Sequence, residues 1–109
     1  MAKGAKKSGG GAAAGAAGRL DPQQIAAELA LRPDWSDSGG AIQRTFAFKS
    51  FVESMAFVNK VAAAAEAMNH HPDILIRYNK VTMTLSTHDA GGITRKDFEL
   101  AAKMDSMLA

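Results

Sequence analysis

Cysteine is absent from this 109-residue chain, which excludes a disulfide framework, a thiolate nucleophile and the commonest soft metal ligand together. The absence fits a reducing, cytoplasmic setting. Long apolar runs are lacking too. Hydrophobic residues make up 47% of the chain, yet polar pairs such as Asn59-Lys60 break every stretch short of the roughly 20 residues a membrane span needs, so no membrane association is expected. Acidic residues are missing before Asp21, where Lys3, Lys6, Lys7 and Arg19 stand alone. The overall net charge of +2 therefore belongs to the tail: the remainder carries nine basic against eleven acidic residues. A domain with that balance has no phosphate-binding footprint, and direct nucleic-acid binding is not expected.

Residues 1–19, MAKGAKKSGGGAAAGAAGR, have almost nothing to bury and read as a flexible low-complexity tail. Their basic, acid-free composition leaves mitochondrial import open, but one serine and no amphipathic stripe give it little support. Residues 20–109 are long enough for one modest core and too short for two, so they are expected to form a single domain.

Proline occurs only as Pro22, Pro33 and Pro72, and each marks a boundary. Asp21-Pro22 with Gln24 spells a capping box that opens a helix over 22–31, with Ile25, Leu29 and Ala26 inward and Pro33 closing it. Ser38-Gly39-Gly40 separates Trp35-Ser36-Asp37 from residues 41–48, a hairpin signal. In the second arm Ile42, Arg44, Phe46 and Phe48 alternate with Gln43, Thr45 and Ala47, the period of a strand. Ser50 and Glu53 spell another capping box, which launches a central helix of about 19 residues. Its inward stripe is predicted to be Phe51, Met55, Val58, Ala62, Ala65 and Met68, with the helix ending at Asn69 before Pro72. Strands follow over 74–78 and 81–86, joined by a turn at Asn79-Lys80. Thr94 and Asp97 then cap a last helix bearing Phe98, Leu100, Ala101, Met104 and Leu108.

The order α-β-β-α-β-β-α with short connections predicts an α+β fold, a four-stranded antiparallel sheet with helices packed on one face. Its exposed edges and high apolar content predict a homo-oligomer, dimer or tetramer.

All three histidines, His70, His71 and His88, fall within one stretch of residues 66–97. Pro72 pushes His71 toward extended backbone while His70 ends the helix, so the two rings are aimed independently. With the turn at Asn79-Lys80, facing residues sum to about 159, which sets His88 opposite His71. On spacing alone three readings remain open. The rings cap helix carbonyls and decorate a loop, or they bind a metal such as zinc, or they act as metal-free general acids and bases.

The spacing Glu66-x3-His70-His71-Pro72-x5-Tyr78-x9-His88-x8-Asp97 resembles the signature of the pterin-4a-carbinolamine dehydratases, some animal members of which also serve as dimerisation cofactors of a homeodomain transcription factor. The flanking Ile42-x-Arg44-x-Phe46-x-Phe48, Tyr78-Asn79-Lys80-Val81 and Leu85-Ser86-Thr87-His88 resemble that family too, and the likeness spans about residues 20 to 108. It implies conversion of 4a-hydroxytetrahydropterin, the product of aromatic amino acid hydroxylases, to quinonoid dihydropterin and water. A base takes the N5 proton and an acid protonates the departing C4a hydroxyl, with pterin as substrate and with no metal or separate cofactor. The resemblance makes His70, His71, His88 and Asp97 catalytic. It lines the substrate with residues 69 to 72 (Asn69, His70, His71, Pro72) and 86 to 89 (Ser86, Thr87, His88, Asp89), and makes Glu66 and Tyr78 supporting. His71 and His88 are expected to transfer protons and His70 to orient the pterin.

Local alternatives stay open at three of these positions. Asp97 is favoured at the start of a helix whatever the function. Glu66 one turn before His70 is either its orienter or a solvent-facing residue, and Tyr78 suits packing in a strand. Many relatives have an aromatic residue where this chain has Ile74 and often Asp where it has Asn69, so neither an aromatic contact from the first position nor a charge from the second is carried over, while the three rings are unaffected. The alternative function is a non-catalytic dimerisation or coactivator module, which an exposed apolar helix face would favour.

Overall fold

The computed structural model describes residues 18–108, so the tail expected over 1–19 lies, up to residue 17, outside the described residues. The helix α1 spans Pro22–Leu31 and opens on the predicted box, with Gln24 N–H donating to Asp21 Oδ1 and Asp21 N–H to Gln24 Oε1, both at 2.8 Å. Ile25 and Leu29 pack on the core, whereas Ala26 is exposed. The strands β1 (Ser36–Asp37) and β2 (Ile42–Ala47) form the hairpin, in register Ser36↔Gln43.

The helix α2 (Phe51–Met68) starts at Ser50, whose hydroxyl accepts from Glu53 N–H. The box is only half closed, because Glu53 Oε1 accepts from Lys49 N–H, one residue further back. The strands β3 (Asp73–Arg77) and β4 (Lys80–Leu85) follow, then a 3-10 turn at His88–Ala90 and the helix α3 (Arg95–Ser106). All pairings are antiparallel and the strand order is β1-β2-β4-β3. The architecture is thus the expected α-β-β-α-β-β-α, with a four-stranded antiparallel sheet.

The core lies between the sheet and its helices. Ile42 and Phe46 of β2 and Val81, Met83 and Leu85 of β4 supply the sheet's inner face, as their alternation predicts. Against them pack Phe57, Val61 and Ala65 of α2 and Phe98, Leu100, Ala101 and Met104 of α3. The α2 stripe is rotated from expectation: Ala65 is buried and Val58 and Met68 pack against the core as predicted, but Ser54, Phe57 and Val61 are the other buried residues, and Phe51 is 48% exposed. Two apolar stripes share this helix, and the one carrying Phe57 wins. Its ring sits 4.6 Å from Phe46 and 5.1 Å from Phe48, centroid to centroid, so it gains aromatic contact beyond area burial.

The β3–β4 hairpin also differs. Arg77 pairs with Lys80, so the turn is Tyr78-Asn79 and facing residues sum to 157, two less than expected. Tyr78 leaves the strand for a left-handed turn position, φ 54°, and is 68% exposed. Asn79 is held in place instead, its side-chain amide donating to the Phe48 carbonyl at 3.0 Å. As the sheet's outer strand, β3 leaves Ile74 and Leu75 exposed. Leu108 falls beyond the end of α3, 40% exposed. Among the described residues no helix is long and apolar enough to cross a membrane.

Candidate active site

The last turn of α2 decides where the first two histidines go. Asn69 adopts the left-handed conformation, φ 51° and ψ 43°, which asparagine tolerates better than most residues. Its N–H donates to the Glu66 carbonyl at 3.1 Å, and the next N–H, of His70, donates to the Ala65 carbonyl at 3.0 Å. These two bonds are a Schellman closure, and the chain reverses as it leaves the helix. His70 is turned beneath the helix end and is 8% exposed, while His71 is exposed.

Each ring meets a carboxylate. His70 Nε2 lies 2.6 Å from Asp97 Oδ1, and Asp97 is fully buried. His71 Nε2 lies 2.5 Å from Glu66 Oε2, with side chains 55% and 78% exposed. Glu66 thus serves His71 rather than His70. Helical spacing alone points from Glu66 to the residue four further on, but the left-handed Asn69 redirects His70 and brings His71 back over the last turn.

Asp97 also holds the start of α3. Its Oδ2 accepts from Thr94 N–H at 2.9 Å, which with the Thr94 side chain closes the third capping box. The same oxygen lies 3.0 Å from Thr87 Oγ1, which in turn is 2.7 Å from Thr94 Oγ1. One carboxylate thereby ties together the end of α2, the loop after β4 and the start of α3.

That loop carries His88. Thr87 bridges to Gly92, and the 3-10 turn between them ends at Gly91, φ 71°, where a left-handed residue is required. Gly92 is held from the other side: a Cβ there would lie 2.9 Å from Arg19 Cδ, and Leu20 N–H donates to the Ile93 carbonyl at 2.8 Å. The observed pairs end at Asp73↔Thr84 and sum to 157, so continuing that register would put His88 two residues beyond the position facing His71 rather than opposite it as expected. Among the described residues the His88 ring has no hydrogen-bond partner, and no three His, Asp or Glu side chains lie close enough to share a metal ion.

Asn69, His70, His71 and Pro72 and the segment Ser86, Thr87, His88 and Asp89 therefore flank one end of the β3–β4 hairpin, with Asp97 below them. Tyr78 is not brought to them. It sits at the hairpin's other end, roughly 15 to 20 Å away at strand rise, beside a groove of about 610 Å3 lined by Thr45, Leu75, Arg77, Lys80 and Thr82. The Thr87–Thr94 hydroxyl pair is the feature that spacing could not reveal, since seven residues and a bridge separate the two.

Consecutive imidazoles each paired with a carboxylate are groups that can accept a proton on one nitrogen and donate one from the other. Comparison with known proteins identifies relatives of the chain. Residues 18–107 match the family model described as pterin 4 alpha carbinolamine dehydratase. A provisionally named pterin-4-alpha-carbinolamine dehydratase of Picosynechococcus is 54% identical over 89 residues, covering 82% of this chain and 97% of its own. Another so named, from Chloroflexus aurantiacus, is 54% identical over 90 residues, 83% of this chain and 97% of its own. Among solved structures, a transcriptional coactivator/pterin dehydratase from Brucella melitensis superposes with a TM-score of 0.81 at 33% identity, covering 84% of this chain and 99% of that one. A pterin dehydratase-like RuBisCO assembly factor of the alpha-carboxysome shares the fold at a TM-score of 0.56 and 24% identity, over 67% and 84% of the two chains.

Proposed function

The chain belongs to the pterin 4 alpha carbinolamine dehydratase family, and on that footing we propose that it converts 4a-hydroxytetrahydrobiopterin to quinonoid dihydropterin and water. In the reaction the N5–H bond breaks toward a base, the C4a–O bond breaks with its electron pair leaving on oxygen, and an acid supplies the proton that releases water. The observation that carries this reading is the pair of consecutive imidazole–carboxylate contacts, His70–Asp97 and His71–Glu66, at the end of the hairpin that also bears His88. A buried carboxylate against one ring nitrogen stabilises the imidazolium that forms when the other nitrogen takes a proton. This gives His70 the attributes of the base and moves it from orienting the pterin into proton transfer. His71 and His88, both exposed, supply acid and further contacts, with Asn69, Pro72, Ser86 and Asp89 around the substrate. The substrate's source is an aromatic amino acid hydroxylase, which makes the step one of tetrahydrobiopterin recycling.

The rate of quinonoid dihydropterin formation from the 4a-hydroxy compound tests this directly. Acceleration by the wild type, lost in His71→Ala and His88→Ala, is the expected result. A folded wild type that does not outrun the spontaneous reaction overturns it.

A second reading, a dimerisation or coactivator module, has one observation in its favour: α2 leaves Phe51 and Val52 48% and 76% exposed. Exposed apolar residues of this kind mark interaction surfaces. We assign that face and the β3 edge, with Ile74 and Leu75, to a homo-oligomer, which is compatible with catalysis. Sedimentation of the full chain at micromolar concentration as a monomer would contradict this assignment.

A further inference from the structure

Thr87 has no polar atom to spare. Its N–H donates to the Gly92 carbonyl at 2.7 Å, and its own carbonyl accepts from Ala90 N–H at 3.0 Å and Gly92 N–H at 3.3 Å. Its Oγ1 lies 3.0 Å from Asp97 Oδ2 and 2.7 Å from Thr94 Oγ1. A hydroxyl carries one proton, and an ionised carboxylate only accepts. The Thr87 proton therefore goes to Asp97, and the contact between the two threonines runs on the proton of Thr94. The Thr94 oxygen is itself supplied by Lys96 N–H at 3.3 Å. The hydroxyls thus form a one-way chain from Thr94 through Thr87 to Asp97.

That chain has a consequence at the histidine. Two neutral donors, Thr87 O–H and Thr94 N–H, occupy Asp97 Oδ2. Oδ1 is left facing His70 Nε2 at 2.6 Å, so Nε2 must carry a proton. In the neutral ring Nδ1 then holds the lone pair. Among the described residues that atom has no hydrogen-bond partner.

We propose that Thr87 is a positioning residue: oriented by Thr94, its hydroxyl fixes Asp97 so that His70 is held as the Nε2–H tautomer, with Nδ1 presented to the proton of the substrate. This takes Thr87 out of the set of groups that touch the pterin. It rests on the dehydratase reading above, but the tautomer belongs to the resting protein and can be measured without substrate.

The experiment combines 15N-histidine NMR of the full chain with dehydration kinetics. In the wild type, in the spectrum of the neutral ring, His70 is expected to show a protonated Nε2 and a bare Nδ1. Thr87→Val keeps the shape and removes the hydroxyl. It should lower kcat about tenfold, the lower end of what losing a partner that orients a metal-bound imidazole costs, with KM changed less than about twofold, and His70 should become a mixture of tautomers. Thr87→Ser should restore both. A wild-type His70 protonated on Nδ1 overturns the proposal, as does a Thr87→Val protein with unchanged tautomer and kcat, or one whose loss is confined to KM. If Thr87→Val does not fold, the wild-type tautomer decides. If the wild type lacks dehydratase activity, the tautomer and its change in Thr87→Val decide, and only the functional reading falls.

Discussion

Helix α3 carries two partly or fully buried aspartates eight positions apart, and their partners differ in kind. Asp97, fully buried at its start, meets one histidine, one hydroxyl and one backbone amide. Asp105, near its end and 20% exposed at the side chain, meets Arg44 at 2.7 Å, Arg32 at 3.1 Å and Trp35 Nε1 at 2.9 Å. Arginine stays protonated at every pH a protein survives, and indole nitrogen only donates. The carboxylate of Asp105 is therefore met by two fixed cations and a donor that cannot accept. Asp97 instead faces an imidazole, either nitrogen of which can donate or accept. The same residue type on the same helix thus serves as a latch in one place and as the support of an imidazole in the other, and the partner decides which.

The largest effect should come from breaking the first of these. Asp97→Asn keeps the volume but puts an NH2 where one carboxylate oxygen stood, facing either the His70 proton or the donors of Thr87 and Thr94. The dehydration rate should fall about 10² to 10⁴-fold, the range of a general acid/base contribution. A rate within twofold of wild type would show that the His70–Asp97 pair is only a helix cap.

Next in size is the latch. Asp105→Ala strands the Trp35 indole and leaves Arg44 with Asp34 at 3.6 Å and the Phe46 ring 4.4 Å below its guanidinium. Unmatched, mostly buried donors cost about 1 to 3 kcal/mol. In a domain this size that lowers Tm by roughly 4 to 8 °C per kcal/mol. The turnover of the folded fraction should not change, so calorimetry and kinetics together separate latch from site. A smaller catalytic effect is expected at the exposed pair: Glu66→Gln should slow dehydration less than about fivefold, because water and salt already screen a carboxylate 78% exposed. A loss as large as that of Asp97→Asn would erase the distinction between buried and exposed support.

What the sequence revealed and what it hid divide along the same physical line. Asp21, Ser50 and Thr94 announce their helices because a cap bonds within three residues. β2 and β4 show alternation because each has one face on the core. The spacing of the histidines was legible, and so was a carboxylate near them at Asp97. The α2 stripe was legible only in part, since Phe57 is chosen by Phe46 and Phe48 outside the helix. The partner of Glu66, which depends on one left-handed residue, was not legible, nor was the two-residue shift of the β3–β4 register, which a left-handed Tyr78 permits. The link from Thr87 to Asp97 closes only once a strand, a turn and a helix are in place.

A third charged contact on α3 sharpens the comparison from below. Arg95, the first residue of the helix, reaches Glu28 of α1 at 2.8 Å, with side chains 63% and 27% exposed. Such exposed pairs contribute about 0.2 to 1 kcal/mol. A cation in the first helical turn is also opposed by the macrodipole, by about 0.3 to 1 kcal/mol. The two effects have opposite sign and similar size, so Arg95→Ala should leave stability within about 0.5 kcal/mol of wild type and catalysis untouched. Thermal unfolding in low and in high salt checks this. A loss near that of Asp105→Ala, vanishing at high salt, would mean that the α1–α3 tether matters as much as the latch, and that bond count rather than burial ranks the charges of this helix.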